Sequence, residues 1–270
     1  MSQSAFSTAI QELESVLDTQ LVDRTNRQVT ITATGKEIAV QARLVMRDVE
    51  ALVETAGVRR EPLTGSLRLG VIPTIAPFLL PTLLPKLRKA YPGLQLYLVE
   101  DQTARLHQRL LEGELDLLLL ALPFDMRSVT SMPLYKDSFR LAARRGTKRV
   151  DPDNYRYSRL HAESVLLLED GHCLRDHALA ACKIRNTEKV SKFAASSLLT
   201  LVEMVDADLG ITFLPEMASN SILLKNTQVR TYEIGDNSYR TIGLTWRKGS
   251  ARSEEFRLFG EFVKNNKVKT

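Results

Sequence analysis

Cysteine is nearly absent from this chain: two thiols, Cys173 and Cys182, in 270 residues. Two thiols cannot make the disulfide framework on which small secreted domains rely. Long apolar runs are missing as well. The stretch from Leu115 to Leu122 is broken by Asp116 and falls far short of the roughly 20 residues a membrane helix needs. The first residues, MSQSAFSTAIQELE, have neither the basic start nor the apolar core of a signal peptide. A commanding charge excess is also lacking. The net charge is +5, yet residues 1–62 hold seven Lys/Arg against nine Asp/Glu, so no basic footprint sits at the front. The densest basic stretch, RRGTKR from Arg144 to Arg149, reads as a solvated loop. These absences describe a cytoplasmic chain with no membrane partner. In that compartment thiols stay reduced, and a cysteine pair is more readily redox-active or metal-binding than structural.

What is present is ordinary globular composition, 44% hydrophobic and 26% charged, with enough length for one large or two ordinary domains. The segment SQSAFSTAIQELESVLD spaces Phe6, Ile10, Leu13 and Leu17 for an amphipathic helix. A short β-prone run over Val29 to Thr32 follows, then a turn at Gly35. A second helix comes next, with Ile38, Val45, Val49, Leu52 and Val53 on one side, a stripe suited to a dimer helix or a packed linker. RREPLTG breaks this pattern at Pro62 and Gly65, which marks the main domain boundary.

Beyond the break, strands and helices alternate. SLRLGVIP, LQLYLVED and DLLLLAL are apolar strands separated by helical segments, and the rhythm returns with VLLLED, KFAA, GITFLP and RTIGLTWRKG. This is the pattern of βαβ units, and it predicts a parallel α/β sheet in two lobes with a cleft at the strand ends. The last strand and the helix SEEFRLFGEFVKN are expected to return to the first lobe, and Trp246 to lie in the core. Thr103 and Ser196 sit where N-caps belong, and Thr74 follows the first strand.

Both thiols fall in LLLEDGHCLRDHALAAC, just past a strand. Cys173, at a strand-to-helix junction behind Gly171, has helix-end N–H groups to favour a thiolate, with His172, Arg175 and Arg240 able to add donors. A lowered thiol pKa is expected there. Either cysteine alone could be an inert small hydrophobe, and Cys173 with His177, His172 or Cys182 could ligate zinc, though a structural site wants four convergent ligands. No metal and no cofactor is expected. His107 and His161 read as surface residues.

Several of these segments together resemble the LysR-type transcriptional regulators. SQSAFSTAIQELESVLDTQLVDRTNRQVTITATG resembles their recognition helix and wing, GVIPTIAPFLLPTLLPKLRKAYP and GITFLPEMA their effector domain, and GHCLRDHALAAC with RTIGLTWRKGS the hydrogen peroxide sensors within the family. The resemblance implies an α/β fold: a two-lobed, periplasmic-binding-protein-like effector domain after a linker helix and a partial winged helix-turn-helix. The corresponding bounds are 1–34 for the partial winged helix, 35–62 for the linker or dimerisation helix and 63–270 for the effector domain. Lobe I takes 66–136 with 242–270, and lobe II takes 137–241.

It further implies that Cys173 is the peroxide-reacting thiol and Cys182 the thiol that closes a disulfide, with Thr74, Thr103, His172 and Arg240 around them. Ser2, Gln3, Ser4, Ser7, Thr8 and Gln11 would face promoter DNA if the full winged helix-turn-helix is present, and the remaining partners would be hydrogen peroxide, RNA polymerase and further copies in a homodimer or homotetramer. Lys192 and Asp208 depart from the family, which carries histidine and glycine there, and KIRNTEK is unusually basic. The chain opens on the recognition helix, so Phe6, Ile10 and Leu13 lack partners. An earlier natural start than Met1 is expected, and residues 1–34 alone are not expected to bind DNA competently.

Three other functions remain open: a small-ligand sensor of the same family, a thiol peroxidase, and a free-standing effector domain. No enzyme activity is expected. If the thiol segment is one helix, nine residues at about 1.5 Å rise hold the two Cα atoms roughly 13 Å apart. A disulfide tolerates about 7 Å, so oxidation has to unwind the segment or move one end of it.

Overall fold

The computed structural model describes residues 2–24, 29–56, 62–182, 184, 187–219, 221–235 and 237–267. The end of the RREPLTG break nearest the helix, residues 59–61, and Lys183, Arg185 and Asn186 of KIRNTEK lie outside the described residues. Two compact units emerge, Met1–Arg60 with Glu112–Glu114, and Glu61–Leu111 with Leu115–Thr270.

In the first unit, helix α1 (Gln3–Leu17) is followed by the antiparallel pair β1 (Val22–Arg24) and β2 (Val29–Ile31) and by helix α2 (Ala33–Ala56). Ser2 caps α1 by accepting from the Ala5 N–H at 3.3 Å, and Asp18 ends it in the left-handed region, φ 47°. Glu14 Oε1 accepts from the Leu21 and Val22 N–H groups at 2.7 and 2.9 Å, which holds its carboxyl below the usual carboxylate range. The turn expected at Gly35 is instead the first turn of α2. Thr32 Oγ1 accepts the Gly35 N–H at 2.9 Å, and a Cβ at residue 35 would strike the Leu21 carbonyl oxygen. Glycine is thus there for close approach rather than for a bend. Phe6, Leu13, Val16 and Leu17 on α1 are exposed, and so are Val45, Met46, Val49, Leu52 and Val53 on α2.

The second unit runs β3 (Gly65–Val71), α3 (Ala76–Ala90), β4 (Leu94–Glu100), α4 (Thr103–Leu111), β5 (Leu117–Leu122), β6 (Val129–Arg144), β7 (Val165–Leu168), α5 (Cys173–Ala181), β8 (Val190–Ala195), α6 (Leu198–Asp206), β9 (Thr212–Pro215), α7 (Glu216–Ser219), β10 (Val229–Glu233), β11 (Tyr239–Arg247) and α8 (Ser253–Asn265). The expected parallel sheet is only partly so. β3 pairs parallel with β4 and β5, and β7 with β8. β11 arrives late in the chain, inserts between β5 and β6 and runs antiparallel to both, and β9 and β10 also pair antiparallel with β6.

β6 was not anticipated, because Pro133 lies within it and its apolar residues do not alternate from end to end. The register shifts between Ile242 and Gly243 opposite it. Burial forms two cores. One gathers Leu69, Leu79, Leu119, Trp246, Phe256 and Phe259, which places β11 and α8 with β3 to β5. The other gathers Phe139, Leu141, Val165, Leu167, Val202 and Phe213. β6 serves both, with Leu134 in the first and Phe139 to Ala143 in the second. No described helix is long and apolar enough to cross a membrane.

Candidate functional site

Helix α5 begins on one thiol and is capped by the other. Cys173 is its first residue and packs into the first core, while Leu174 and Ala178 face the second, against which Cys182 at the C-cap is also packed. Both cysteines are free thiols. The helix starts where it does because Gly171, at φ +96°, turns the chain out of β7. A Cβ on residue 171 would meet Gln102 Oε1 at 2.9 Å. Arg175 secures the turn, its Nε 3.0 Å from Asp170 Oδ1 and its Nη1 donating to the Leu168 carbonyl at 3.3 Å.

Thr74, Thr103, His172 and Cys173 line one tight crevice together with Gln102 and Gly171. All four side chains are buried. Arg240 reaches the same place from β11. Its Nη1 donates to Thr74 Oγ1 at 2.8 Å, Nη2 to the Thr74 carbonyl at 2.9 Å and Nε to Asp137 Oδ2 at 2.9 Å. Arg240 and Asp137 face each other directly across the β11–β6 ladder, and Asp137 Oδ1 also accepts the Met217 N–H at 3.2 Å. A guanidinium this deep is tolerable only because charge and hydrogen bonds meet it on several sides. Burial pushes the Asp137 carboxyl up, opposed by the Arg240 charge.

Because Arg240 donates to Thr74, the Thr74 hydroxyl proton stays available to a guest. Thr103 Oγ1 is buried with no partner in good hydrogen-bond geometry, although it sits close enough to the Cys173 sulfur to pull that thiol's pKa down. Thr103 is the first residue of α4 but does not cap it, and the cap expected at Ser196 is made by Ser197, which accepts from the Thr200 N–H at 3.2 Å.

The lowered Cys173 pKa expected from the helix end is not what the site produces. Burial pushes the thiol up and outweighs the opposing pull of Thr103 and Arg240. Burial also pushes Cys182 up, to about 12. Cys182 does not line the crevice, being separated from Cys173 by the length of α5.

Among the zinc candidates, His177 spends its Nε2–H on the Pro123 carbonyl at 2.9 Å, and no group of three or more potential ligands converges among the described residues. His107 is not isolated, since its Nε2 lies 3.2 Å from the Arg127 carbonyl. Lys192 is exposed beside Glu163, and Asp208 adopts φ 58°, the left-handed conformation that glycine takes most readily. Asp137 and Met217 were missed from sequence. An aspartate in LYKDSF carries no local signal of a partner about a hundred residues away.

In the first unit, Gln3, Ser4, Ser7, Thr8 and Gln11 lie on α1 and Ser2 at its N-cap. Ser2 and Ser4 hydroxyls are 3.0 Å apart, Thr8 donates to the Ser4 carbonyl at 3.1 Å, and Ser7 accepts from Arg24 at 2.6 Å. Gln3 and Gln11 are exposed.

A sheet-based effector unit with a buried polar crevice, preceded by a helix and a two-stranded wing, is the build of a ligand- or signal-responsive bacterial regulator. Residues 60–267 match the LysR substrate binding domain, and residues 1–36 match the bacterial regulatory helix-turn-helix protein, lysR family. The chain belongs to the LysR family of transcriptional regulators. It is 40% identical over 265 residues to the HTH-type transcriptional regulator EstR of Acinetobacter baylyi, covering 98% of this chain and 88% of that one. It is 39% identical over 258 residues to the probable hydrogen peroxide-inducible genes activator of Streptomyces viridosporus, covering 95% and 83%. Among solved structures it resembles the reduced form of the regulatory domain of OxyR2 from Vibrio vulnificus. The TM-score is 0.73 at 42% identity, covering 77% of this chain and 99% of that one.

Proposed function

We propose that this chain is a peroxide-responsive regulator of the LysR family that binds promoter DNA when its winged helix-turn-helix is complete and is switched by a disulfide between Cys173 and Cys182. The carrying observation is that Cys173 shares one buried crevice with two threonine hydroxyls, one without a settled partner and one backed by Arg240. A peroxide entering there would be hydrogen-bonded at the oxygen that must leave. Sulfur attacks one peroxide oxygen, the O–O bond breaks, the thiol proton passes to the departing oxygen, and water leaves Cys173 as a sulfenic acid. Cys182 then attacks that sulfur, forming the S–S bond and releasing a second water. The relatives named as peroxide-inducible activator and OxyR2 support this chemistry.

The remaining assignments accompany that proposal. Residues 1–34 would present Ser2, Gln3, Ser4, Ser7, Thr8 and Gln11 to DNA, 35–62 would join copies into a homodimer or homotetramer through the exposed α2 stripe, and 63–270 would sense. Activation would proceed through RNA polymerase in the cytoplasm. The test is a stoichiometric pulse of hydrogen peroxide on the reduced chain. Wild type should lose both thiols to one intramolecular disulfide, and Cys182→Ser should hold a sulfenic acid on Cys173. Two thiols surviving the pulse would defeat the proposal.

A second possibility has one observation in its favour. A cavity of about 460 Å³, lined largely by apolar groups such as Phe78, Leu198 and Leu223, adjoins the crevice at Thr74 and His172. That volume suits a small organic effector, and in that case the thiols would survive peroxide.

A further inference from the structure

Helix α5 has to lose its middle for the two thiols to meet, so whatever holds that middle sets how readily the switch closes. Among the described residues, two side-chain ties join the later half of the helix to other parts of the unit. Ser238 donates to the Ala181 carbonyl at 3.2 Å, and His177 Nε2–H donates to the Pro123 carbonyl at 2.9 Å. Their anchors differ. Pro123 directly follows β5, whose residues Leu117 to Ala121 are fully buried in the first core and paired to β3 and β11. Apart from Cys173 itself, α5 packs by Leu174 and Ala178 into the second core. His177 is therefore a polar tie from the centre of the thiol-bearing helix to the rigid sheet of the other core. Its Nδ1 is buried with no hydrogen-bond partner, so the ring is held at this carbonyl through one nitrogen only.

We infer that His177 is a latch, a positioning residue whose bond to the Pro123 carbonyl stabilises the helical, reduced arrangement and so sets the Cys173–Cys182 redox equilibrium. This rests on the disulfide proposed above. His177 stands four residues after one thiol and five before the other. Drawing the segment's ends from roughly 13 Å to within about 7 Å unwinds the turns between them. The imidazole cannot keep its place through that change, so its bond belongs to the dithiol state. Without it, the dithiol state loses the net worth of one hydrogen bond and the disulfide is favoured by comparison.

The test equilibrates the full chain with mixtures of reduced and oxidised glutathione and traps the thiols by alkylation. One oxidised glutathione takes two electrons and two protons from the dithiol, giving the protein disulfide and two reduced glutathione molecules. His177→Leu, which removes the donor, is expected to shift the equilibrium toward disulfide about fivefold, about 20 mV more negative for a two-electron couple. His177→Gln, whose amide N–H reaches toward the same carbonyl, is expected to stay within about twofold of wild type. An unmoved equilibrium in His177→Leu, a shift toward dithiol, or a glutamine variant displaced as far as leucine would each overturn the latch while leaving the disulfide proposal standing. A wild-type chain that makes no intramolecular disulfide at any glutathione ratio would overturn both.

Discussion

At the scale of single residues, the two thiols differ in what their surroundings ask of them. Cys173 has Thr103 and Arg240 working against its burial, whereas for Cys182 burial is the one cause of the shift. A folded-state value raised from 9.0 to about 12 means that Cys182 contributes stability fully present below pH 9 and lost as pH climbs toward 12. In the reduced chain at pH 8.5, iodoacetamide should therefore modify Cys182 far more slowly than an ordinary thiol, and urea should abolish the difference. Equal rates in folded and unfolded chains would show that the segment opens freely without oxidation. Much of this site was legible in sequence, because GHCLRDHALAAC, VIPTIAP and RTIGL are local signatures and each brings its own residue. The thiol pKa was misjudged because a helix end can be read from sequence but depth of burial cannot. Asp137 went unseen for a related reason, as its meaning lies in facing Arg240 across a ladder that only the folded chain assembles.

At the scale of elements, β7, the Gly171 turn and α5 act as one piece. Glycine at 171 is required twice, by φ +96° and by the 2.9 Å approach to Gln102. Gly171→Ala should lower stability by about 1–3 kcal/mol and displace Gln102 from the crevice. Thermal unfolding together with the rate of sulfenic acid formation on Cys173 would register both effects. A variant as stable and as reactive as wild type would mean that the turn has more freedom than its geometry indicates. The helices were easier to foresee than the strands. The apolar spacing of α1, α2 and α8 announces each of them, whereas β6 is masked by Pro133 and by a change of buried face midway. β10 has only five residues, too few for a pattern to stand out.

At the scale of the whole effector unit, β11 and α8 close the first core from the far end of the sequence, with Trp246, Phe256 and Phe259 at most 1% exposed. Phe259→Ala should cost about 3–5 kcal/mol, and calorimetry should show where that loss falls. β6 decides the matter. One unbroken strand of 16 residues carries Leu134 into the first core and Phe139 to Ala143 into the second. Neither core can melt without taking the backbone of the other with it, so heat capacity should trace a single peak for residues 61–270, and Phe259→Ala should move that peak as a whole rather than split off a shoulder. Two lobes built this way are one cooperative unit, and amide exchange in Leu141 to Ala143 should slow or quicken in step with exchange in Leu118 to Leu120, in the other core.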